Sequence, residues 1–336
     1  MCTDPLSSVF CPLNPEPYAA PWWLPGGNLQ TLWAAVLARR ERPRLRRSRW
    51  DTPDGDFVFV DFLDGPAEQP FVVLFHGLEG GADSHYAEAT MAELARRGWR
   101  GAIPHFRSCG GEVNLLPRAY HSGDWEEIDW MLDRFRGIAG ASPLFAAGVS
   151  LGGNALLKWL GERGDAACAV VRAAAAVSAP LDLAAGADAI ERGFERFYTW
   201  LFLSTLKPKV LEKARRHPGV FDVERVRRAR TLREFDDAVT APLHGFRDAA
   251  DYYARASAKP VLRRIAVPTL VLNARNDPFL PGRYLPSPAE VSAAVTLETP
   301  RTGGHVGFVR GPFPGHFDWL PQRIIGFFSH RLASPR

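Results

Sequence analysis

The sequence has few cysteines and no long apolar run. Its four cysteines are scattered over 336 residues, with no CxxC pair and no spacing typical of metal ligands (Cys2, Cys11, Cys109 and Cys168). We therefore expect reduced thiols, and neither a disulfide framework nor a metal site. No stretch reaches the roughly 18 to 20 consecutive apolar residues that a membrane-spanning helix needs. A transmembrane architecture is therefore not expected.

The first residues also lack the pattern of a secretory signal, because no basic segment precedes an apolar one. Cytoplasmic residence is the expectation that follows. The length favours one large domain with an insertion, and an apolar content of 46% is ordinary for a globular protein. We divide the chain into an irregular, proline-rich extension (residues 1–26) and a single domain (residues 27–336).

Positive charge is unevenly distributed, although the net charge is only +4. Residues 39–49 hold seven arginines and one acid, and residues 207–233 hold ten basic and three acidic side chains. Such runs can bind nucleic acid or anionic membranes, but they are more often solvated protein surface. No helix-turn-helix, zinc-knuckle or aromatic RNA-binding pattern accompanies them, so nucleic acid is not an expected partner.

Strand and helix patterns alternate along most of the chain. An antiparallel pair of strands is predicted at Arg46–Trp50 and Phe57–Phe62. The run Phe71–Phe75 is wholly apolar, as in a central parallel strand buried on both faces. Further strands are predicted near 101–103, 144–149, 170–177, 269–272 and 295–298, and helices at 86–97, 124–135, 151–162 and 317–332. This alternation predicts an α/β fold with a mostly parallel central sheet and helices on both faces.

Two helical segments depart from this alternation. Residues from about 181 to 260 show mostly helical periodicity and many bulky apolar side chains, which predicts a helical cap inserted into the domain. Residues 28–40 carry apolar side chains at the spacing of an amphipathic helix. Such a helix can lie on a membrane surface, but we expect it to pack against its own domain, as most amphipathic helices do.

A G-x-S-x-G motif identifies the candidate nucleophile, Ser150. Gly148 and Gly152 stand two residues before and after it, where a sharp turn leaves room only for very small side chains. An apolar strand precedes the motif and a helix follows it, which is the context of the nucleophile turn in α/β-hydrolases. The pattern therefore predicts a serine hydrolase of the α/β-hydrolase fold.

A serine nucleophile needs a base, and the base needs an acid to orient it. His305 lies in a glycine-rich loop between the last strand and the last helix, where the chain order Ser, acid, His places the base. Asp277 follows the strand predicted at 269–272 and is the preferred acid, with Asp182 as its rival.

Backbone amides are the expected donors to the oxyanion, those of Leu78 and Leu151. Leu151 follows the nucleophile directly, and Leu78 lies in a glycine-rich loop after the strand Phe71–Phe75. We expect His76 to hold that loop and the Cys109 thiol to be structural. No P-loop lysine or dinucleotide fingerprint is present, so no cofactor is expected.

Several segments of the chain resemble the YheT-like α/β-hydrolases, over nearly its whole length from about Trp22 onward. The likeness is specific, because several of these segments are not shared by α/β-hydrolases in general. The matching segments are Gly26-Gly27-Asn28-Leu29-Gln30-Thr31, His76-Gly77-Leu78-Glu79-Gly80, Phe106-Arg107-Ser108-Cys109-Gly110-Gly111, Tyr120-His121-Ser122-Gly123, Gly148-Val149-Ser150-Leu151-Gly152-Gly153-Asn154, Ser178-Ala179-Pro180-Leu181-Asp182-Leu183, Asp251-Tyr252-Tyr253, Asn276-Asp277-Pro278 and Gly303-Gly304-His305-Val306-Gly307-Phe308.

The resemblance implies a triad of Ser150, Asp277 and His305 and a carboxylic ester hydrolase activity. Animal members of the family are associated with phospholipids or other lipid esters. One departure is visible, since Asn28 stands where many members have histidine.

A carboxylesterase acting on a small-molecule or lipid ester is the preferred function. A membrane-associated lipase or phospholipase is the alternative, and it would use residues 22–37 and the basic runs as an anchor. An acyltransferase also remains open, because sequence does not show whether water reaches the acyl-enzyme. A binding module without catalysis is disfavoured, since it has no need of the strained nucleophile turn.

Overall fold

The computed structural model describes residues 17–37 and 41–333. Most of the predicted N-terminal extension lies outside the described residues, as do Cys2, Cys11 and the last three residues of the helix predicted at 28–40. Within the described ranges, none of the helices is both long and apolar enough to cross a bilayer.

Eight strands of the described chain form one sheet in the order β1-β2-β4-β3-β5-β6-β7-β8. The strands are β1 (Arg46–Asp51), β2 (Phe57–Leu63), β3 (Phe71–Phe75), β4 (Arg100–Pro104), β5 (Leu144–Val149), β6 (Ala173–Val177), β7 (Thr269–Leu272) and β8 (Val295–Glu298). Strand β2 pairs antiparallel with both β1 and β4, and every other neighbouring pair is parallel. The predicted mostly parallel sheet is thereby confirmed.

Helices cover both faces of the sheet. The α-helices of the described residues are α1 (Gly27–Val36), α2 (His85–Arg96), α3 (Trp125–Ala139), α4 (Leu151–Arg163), α5 (Leu183–Ile190), α6 (Arg196–Arg216), α7 (Val223–Arg228), α8 (Leu232–Phe235), α9 (Ala241–Leu243), α10 (Ala249–Ala256) and α11 (Trp319–Ala333). Helices α3 and α4 pack on one face, and α2 and α11 pack on the other. Helices α5 to α10 lie between β6 and β7, in the segment where the cap was predicted.

The sheet lies between two apolar layers, one on each of its faces. Phe135 and Trp159 lie in the layer under α3 and α4, and Met91 and Phe328 lie in the layer under α2 and α11. All residues of β3 and β5 are buried, because both faces of these strands are covered. Each such large side chain contributes about 1.5 to 3 kcal/mol by leaving water. Because the two layers pack against the sheet, they hold its strands in place. The candidate site lies at the ends of these strands.

One expectation about local structure was wrong. The strand predicted at 170–177 begins only at Ala173, because residues 164–169 form a 3₁₀ helix. Helix α1 forms and packs against its own domain, as predicted. It does so by burying Gln30, Thr31 and Ala34, while Leu29 and Val36 stay exposed. The physical reason is that its polar side chains bond to the loops of the candidate site.

Candidate active site

Ser150 lies at a sharp turn between β5 and α4. Its φ is 54°, in the left-handed region that a serine rarely adopts. A Cβ atom at Gly148 would lie 2.5 Å from the carbonyl oxygen of Gly152, and one at Gly152 would lie 2.5 Å from that of His76. The two glycines of the motif are therefore required sterically, and the turn holds the serine hydroxyl clear of the sheet.

The structure brings the three predicted side chains together. His305 Nε2 lies 2.9 Å from Ser150 Oγ, and His305 Nδ1 lies 3.0 Å from Asp277 Oδ2. The Asp277 carboxylate is fully buried, and its Oδ1 accepts a hydrogen bond of 2.8 Å from the Phe279 amide. Such a chain of hydrogen bonds is an arrangement in which an imidazole can take a hydroxyl proton while a carboxylate orients the ring.

Helix α1 and the Asp277 loop hold the His305 loop, a feature that the reasoning from single motifs missed. The buried Gln30 Oε1 accepts hydrogen bonds from the Gly303 amide (2.8 Å) and from Asn276 Nδ2 (3.0 Å). The Thr31 hydroxyl oxygen accepts a hydrogen bond of 2.9 Å from the His305 amide. Gln30 and Thr31 lie far from the His305 loop in sequence. The one sequence signal that could have identified them is the family resemblance of the segment that contains both.

We expect Gln30→Ala to lower kcat by about ten- to a hundredfold, because the His305 loop loses an acceptor that fixes its position. KM should change little, since Gln30 does not line the cavity at Ser150. Steady-state kinetics with a soluble ester measure both constants. Leu29→Ala is the matched control on the same helix and should retain wild-type kcat. An equal loss in both variants would contradict this role for Gln30.

An aromatic ring covers the outer side of the imidazole. The Phe279 ring stacks on His305 with centroids 4.0 Å apart and an angle of 19° between the planes. Phe279 in turn contacts Tyr198 and Phe202 of α6, at centroid distances of 4.8 and 5.9 Å. The Phe279 ring therefore contacts both helix α6 and the imidazole of His305.

The two expected oxyanion donors are the amides of Leu78 and Leu151, which belong to the same cavity as Ser150. Both residues line the cavity, and neither amide donates a hydrogen bond to another of the described residues. His76 holds the Leu78 loop, as predicted, because its Nε2 accepts a hydrogen bond of 3.0 Å from the Phe106 amide. Burial lowers the pKa of His76 to about 3, so the ring is neutral and accepts at this nitrogen. The geometry leaves both amides available to a substrate oxygen.

The rival residues have structural roles. The Asp182 carboxylate accepts a hydrogen bond of 3.0 Å from the Ala185 amide and caps α5, so it is not the partner of His305. Burial, assisted by the negative charge of Glu79, raises the pKa of the Cys109 thiol to about 12. Cys109 is therefore a protonated thiol and a poor nucleophile, as predicted.

A large cavity opens above Ser150. Its volume is about 1200 Å³, including its mouth, and its walls are mostly apolar. Helices of the 181–260 segment supply much of the lining, with Ile190, Phe202, Leu206, Val210, Phe235 and Val239 among the contributors. The cavity wall also contains an ion pair, in which Lys209 Nζ lies 2.7 Å from the Glu79 carboxylate. The space suits an apolar chain attached to a polar reacting group.

Asp236 is a partly buried acid in the cavity wall. Burial raises its pKa from 3.8 to about 6, although hydrogen bonds from Thr240 (2.6 Å) and Tyr253 (2.7 Å) oppose the rise. The folded state thus binds the Asp236 proton more tightly than the unfolded chain. Its contribution to stability is complete below pH 3.8 and is lost as the pH rises through about 6.

We expect Asp236→Asn to become more stable relative to the wild type as the pH rises from 4 to 7. The relative gain in unfolding free energy should be about 2 to 3 kcal/mol, since the amide never ionises. Denaturant titrations of both proteins at several pH values measure it. Asp237→Asn is the neighbouring control. A relative stability independent of pH would contradict the raised pKa.

No group of three or more histidine, cysteine, aspartate or glutamate side chains within residues 17–37 and 41–333 is arranged to hold a metal ion.

Comparisons with known proteins agree with this architecture. The sequence model of the α/β-hydrolase fold family matches residues 70–312. YheT of Escherichia coli, a protein named as an esterase, is 39% identical over 91% of both chains. Human phospholipase ABHD3 is 29% identical over 96% of this chain and 81% of its own. The solved structure of Est1E from Butyrivibrio proteoclasticus shares the fold at 14% identity, with a TM-score of 0.53 over 86% of this chain and 99% of that chain.

Proposed function

The chain belongs to the α/β-hydrolase fold family, among its YheT-like members, and from that membership we propose that it is a serine esterase that cleaves carboxylic esters. The observation that carries the proposal is the chain of hydrogen bonds from Ser150 through His305 to Asp277 at the floor of an apolar cavity. The names of the relatives, an esterase and a phospholipase, are consistent with ester chemistry.

The proposed reaction has two steps. His305 takes the proton of Ser150 as the oxygen attacks the ester carbonyl, and the amides of Leu78 and Leu151 donate to the oxyanion. The alcohol leaves with the proton from His305, and an acyl-enzyme remains. His305 then activates water, which releases the acid and restores the serine.

We propose that the helical segment at about 181–260 is a cap that selects the acyl chain. Its side chains form the apolar walls of the cavity, so the chain length that fits is set there and not by the triad. The ion pair of Lys209 and Glu79 also lines this cavity, and Glu79 directly follows Leu78 in its loop. This arrangement favours an apolar acyl group with its ester carbonyl at Ser150.

A panel of p-nitrophenyl compounds tests the reaction class. We expect hydrolysis of the carboxylic esters, with a preference among chain lengths, and no turnover of p-nitrophenyl phosphate. Product analysis in the presence of glycerol separates hydrolysis from acyl transfer, since a hydrolase releases mainly free acid. Absence of turnover with every ester, or equal turnover of the phosphate, would overturn the proposal.

A further inference from the structure

The amphipathic helix α1 buries polar side chains and leaves part of its apolar side exposed. It buries Gln30, Thr31 and Ala34, whereas Val36 is 71% exposed and Leu29 and Leu37 are also exposed. Burying the polar side is explained by the hydrogen bonds to the His305 loop. Trp33 of the apolar side packs against Trp23 and Phe313, whereas Leu29, Val36 and Leu37 remain exposed.

Helix α6 exposes a second apolar face. Trp200 is 63% exposed, and Phe197 and Leu201 beside it are exposed as well. Asn28 joins the two helices, because it donates to Glu195 Oε1 (3.0 Å) and accepts from the Tyr198 hydroxyl (3.1 Å). The N-terminal ends of the two helices are therefore in contact. We define the α1–α6 surface as their exposed apolar side chains, Leu29, Val36, Leu37, Phe197, Trp200 and Leu201.

This concentration of apolar side chains is unusual for a protein surface. The α1–α6 surface holds six of the twelve large apolar side chains that are exposed among the described residues. Scattered exposed apolar residues need no explanation, but a contiguous patch marks an interaction surface. Helix α6 also carries Phe202 and Leu206 into the cavity, so the same helix separates the surface from the candidate active site.

Positive charge adjoins the apolar patch. A surface groove next to Trp200 is lined by Arg196, Lys207 and Arg230, with Glu191 as the one acidic residue among its lining side chains. None of the three cations forms an ion pair with an acid of the described chain. The groove is thus complementary to anionic groups, and the aromatic ring beside it is of the type that prefers a membrane–water interface.

We propose that the α1–α6 surface docks on an anionic phospholipid bilayer. The apolar side chains enter the boundary between headgroups and acyl chains, and Arg196, Lys207 and Arg230 contact the lipid phosphates. Docking places the helix that borders the cavity against the membrane. This inference goes beyond the proposed ester hydrolysis, and binding is measured with Ser150→Ala so that it does not depend on catalysis.

Co-sedimentation with vesicles tests the apolar contribution. We expect Ser150→Ala to bind vesicles made of equal parts phosphatidylcholine and phosphatidylglycerol. Adding Val36→Ser and Trp200→Ser should lower the partition coefficient by about tenfold or more. The matched control, Leu115→Ser with Ile138→Ser, also removes two exposed apolar side chains and should bind like its parent.

Neutralising the groove tests the electrostatic contribution. Replacing Arg196, Lys207 and Arg230 with glutamine should lower binding by about a hundredfold, because each cation near an anionic bilayer contributes about 1 kcal/mol. Binding to pure phosphatidylcholine vesicles should change little. The matched control replaces three exposed arginines outside the groove (Arg134, Arg263 and Arg283).

Two results would overturn the proposal. One is an absence of vesicle binding by the parent, or binding that the surface variants leave unchanged. The other is a dimer in light scattering that the Val36→Ser and Trp200→Ser changes convert to a monomer without vesicle binding, because the surface would then cover a second copy of the chain.

Discussion

Ser150→Ala should lower kcat for ester hydrolysis by about four to six orders of magnitude. The hydroxyl is the group that would form the acyl-enzyme, and His305 Nε2 lies 2.9 Å from it. The residual rate should still exceed that in water, since the amides of Leu78 and Leu151 remain. Steady-state kinetics with p-nitrophenyl butyrate measure the change.

Ser122→Ala is the control for this variant. Ser122 lines the same cavity, so its replacement removes a second hydroxyl from the same space without removing the partner of His305. We expect activity close to that of the wild type. Comparable losses in both variants would contradict the assignment of Ser150 as the nucleophile.

Asp277→Asn should lower kcat by about four orders of magnitude. The amide retains the shape of the side chain, but it no longer stabilises the imidazolium, and it favours the wrong tautomer of His305. The effect should appear in kcat more than in KM, because the Asp277 carboxylate contacts the base and is not among the residues that line the cavity.

Asp182→Asn separates the two candidate acids. Asp182 caps α5 and is not the partner of His305, so its replacement should cost about 1 kcal/mol or less of stability and leave kcat nearly unchanged. Kinetics and thermal unfolding of both variants measure the difference. A large loss of kcat in Asp182→Asn with an active Asp277→Asn would reverse the assignment.

Most of the sheet could be predicted from the sequence, because a strand buried on both faces is a short apolar run. The bounds predicted for β3, β5, β7 and β8 are those of the structure. The strand predicted at 170–177 was too long, since Val170 and Val171 are apolar and buried without belonging to β6. Burial alone therefore does not distinguish a strand from the turn that leads into it.

The candidate triad could be predicted because each residue occupies a position that chain order and local glycines identify. The support of the His305 loop could not, since Gln30 is 273 residues from Gly303 and no local pattern connects them. Which side of α1 packs against the domain could not be predicted for the same reason. Its spacing predicts the helix, but the partners of Gln30 and Thr31 decide which side is buried.

The central claim, that Ser150 is an activated nucleophile, is tested most directly by covalent labelling with a fluorophosphonate probe followed by peptide mass spectrometry. A fluorophosphonate reacts with a serine that a neighbouring base activates. We predict a single adduct on the peptide that contains Ser150 in the wild type, and none in Ser150→Ala. Equal labelling of the two proteins, or an adduct on a different serine, would contradict the account.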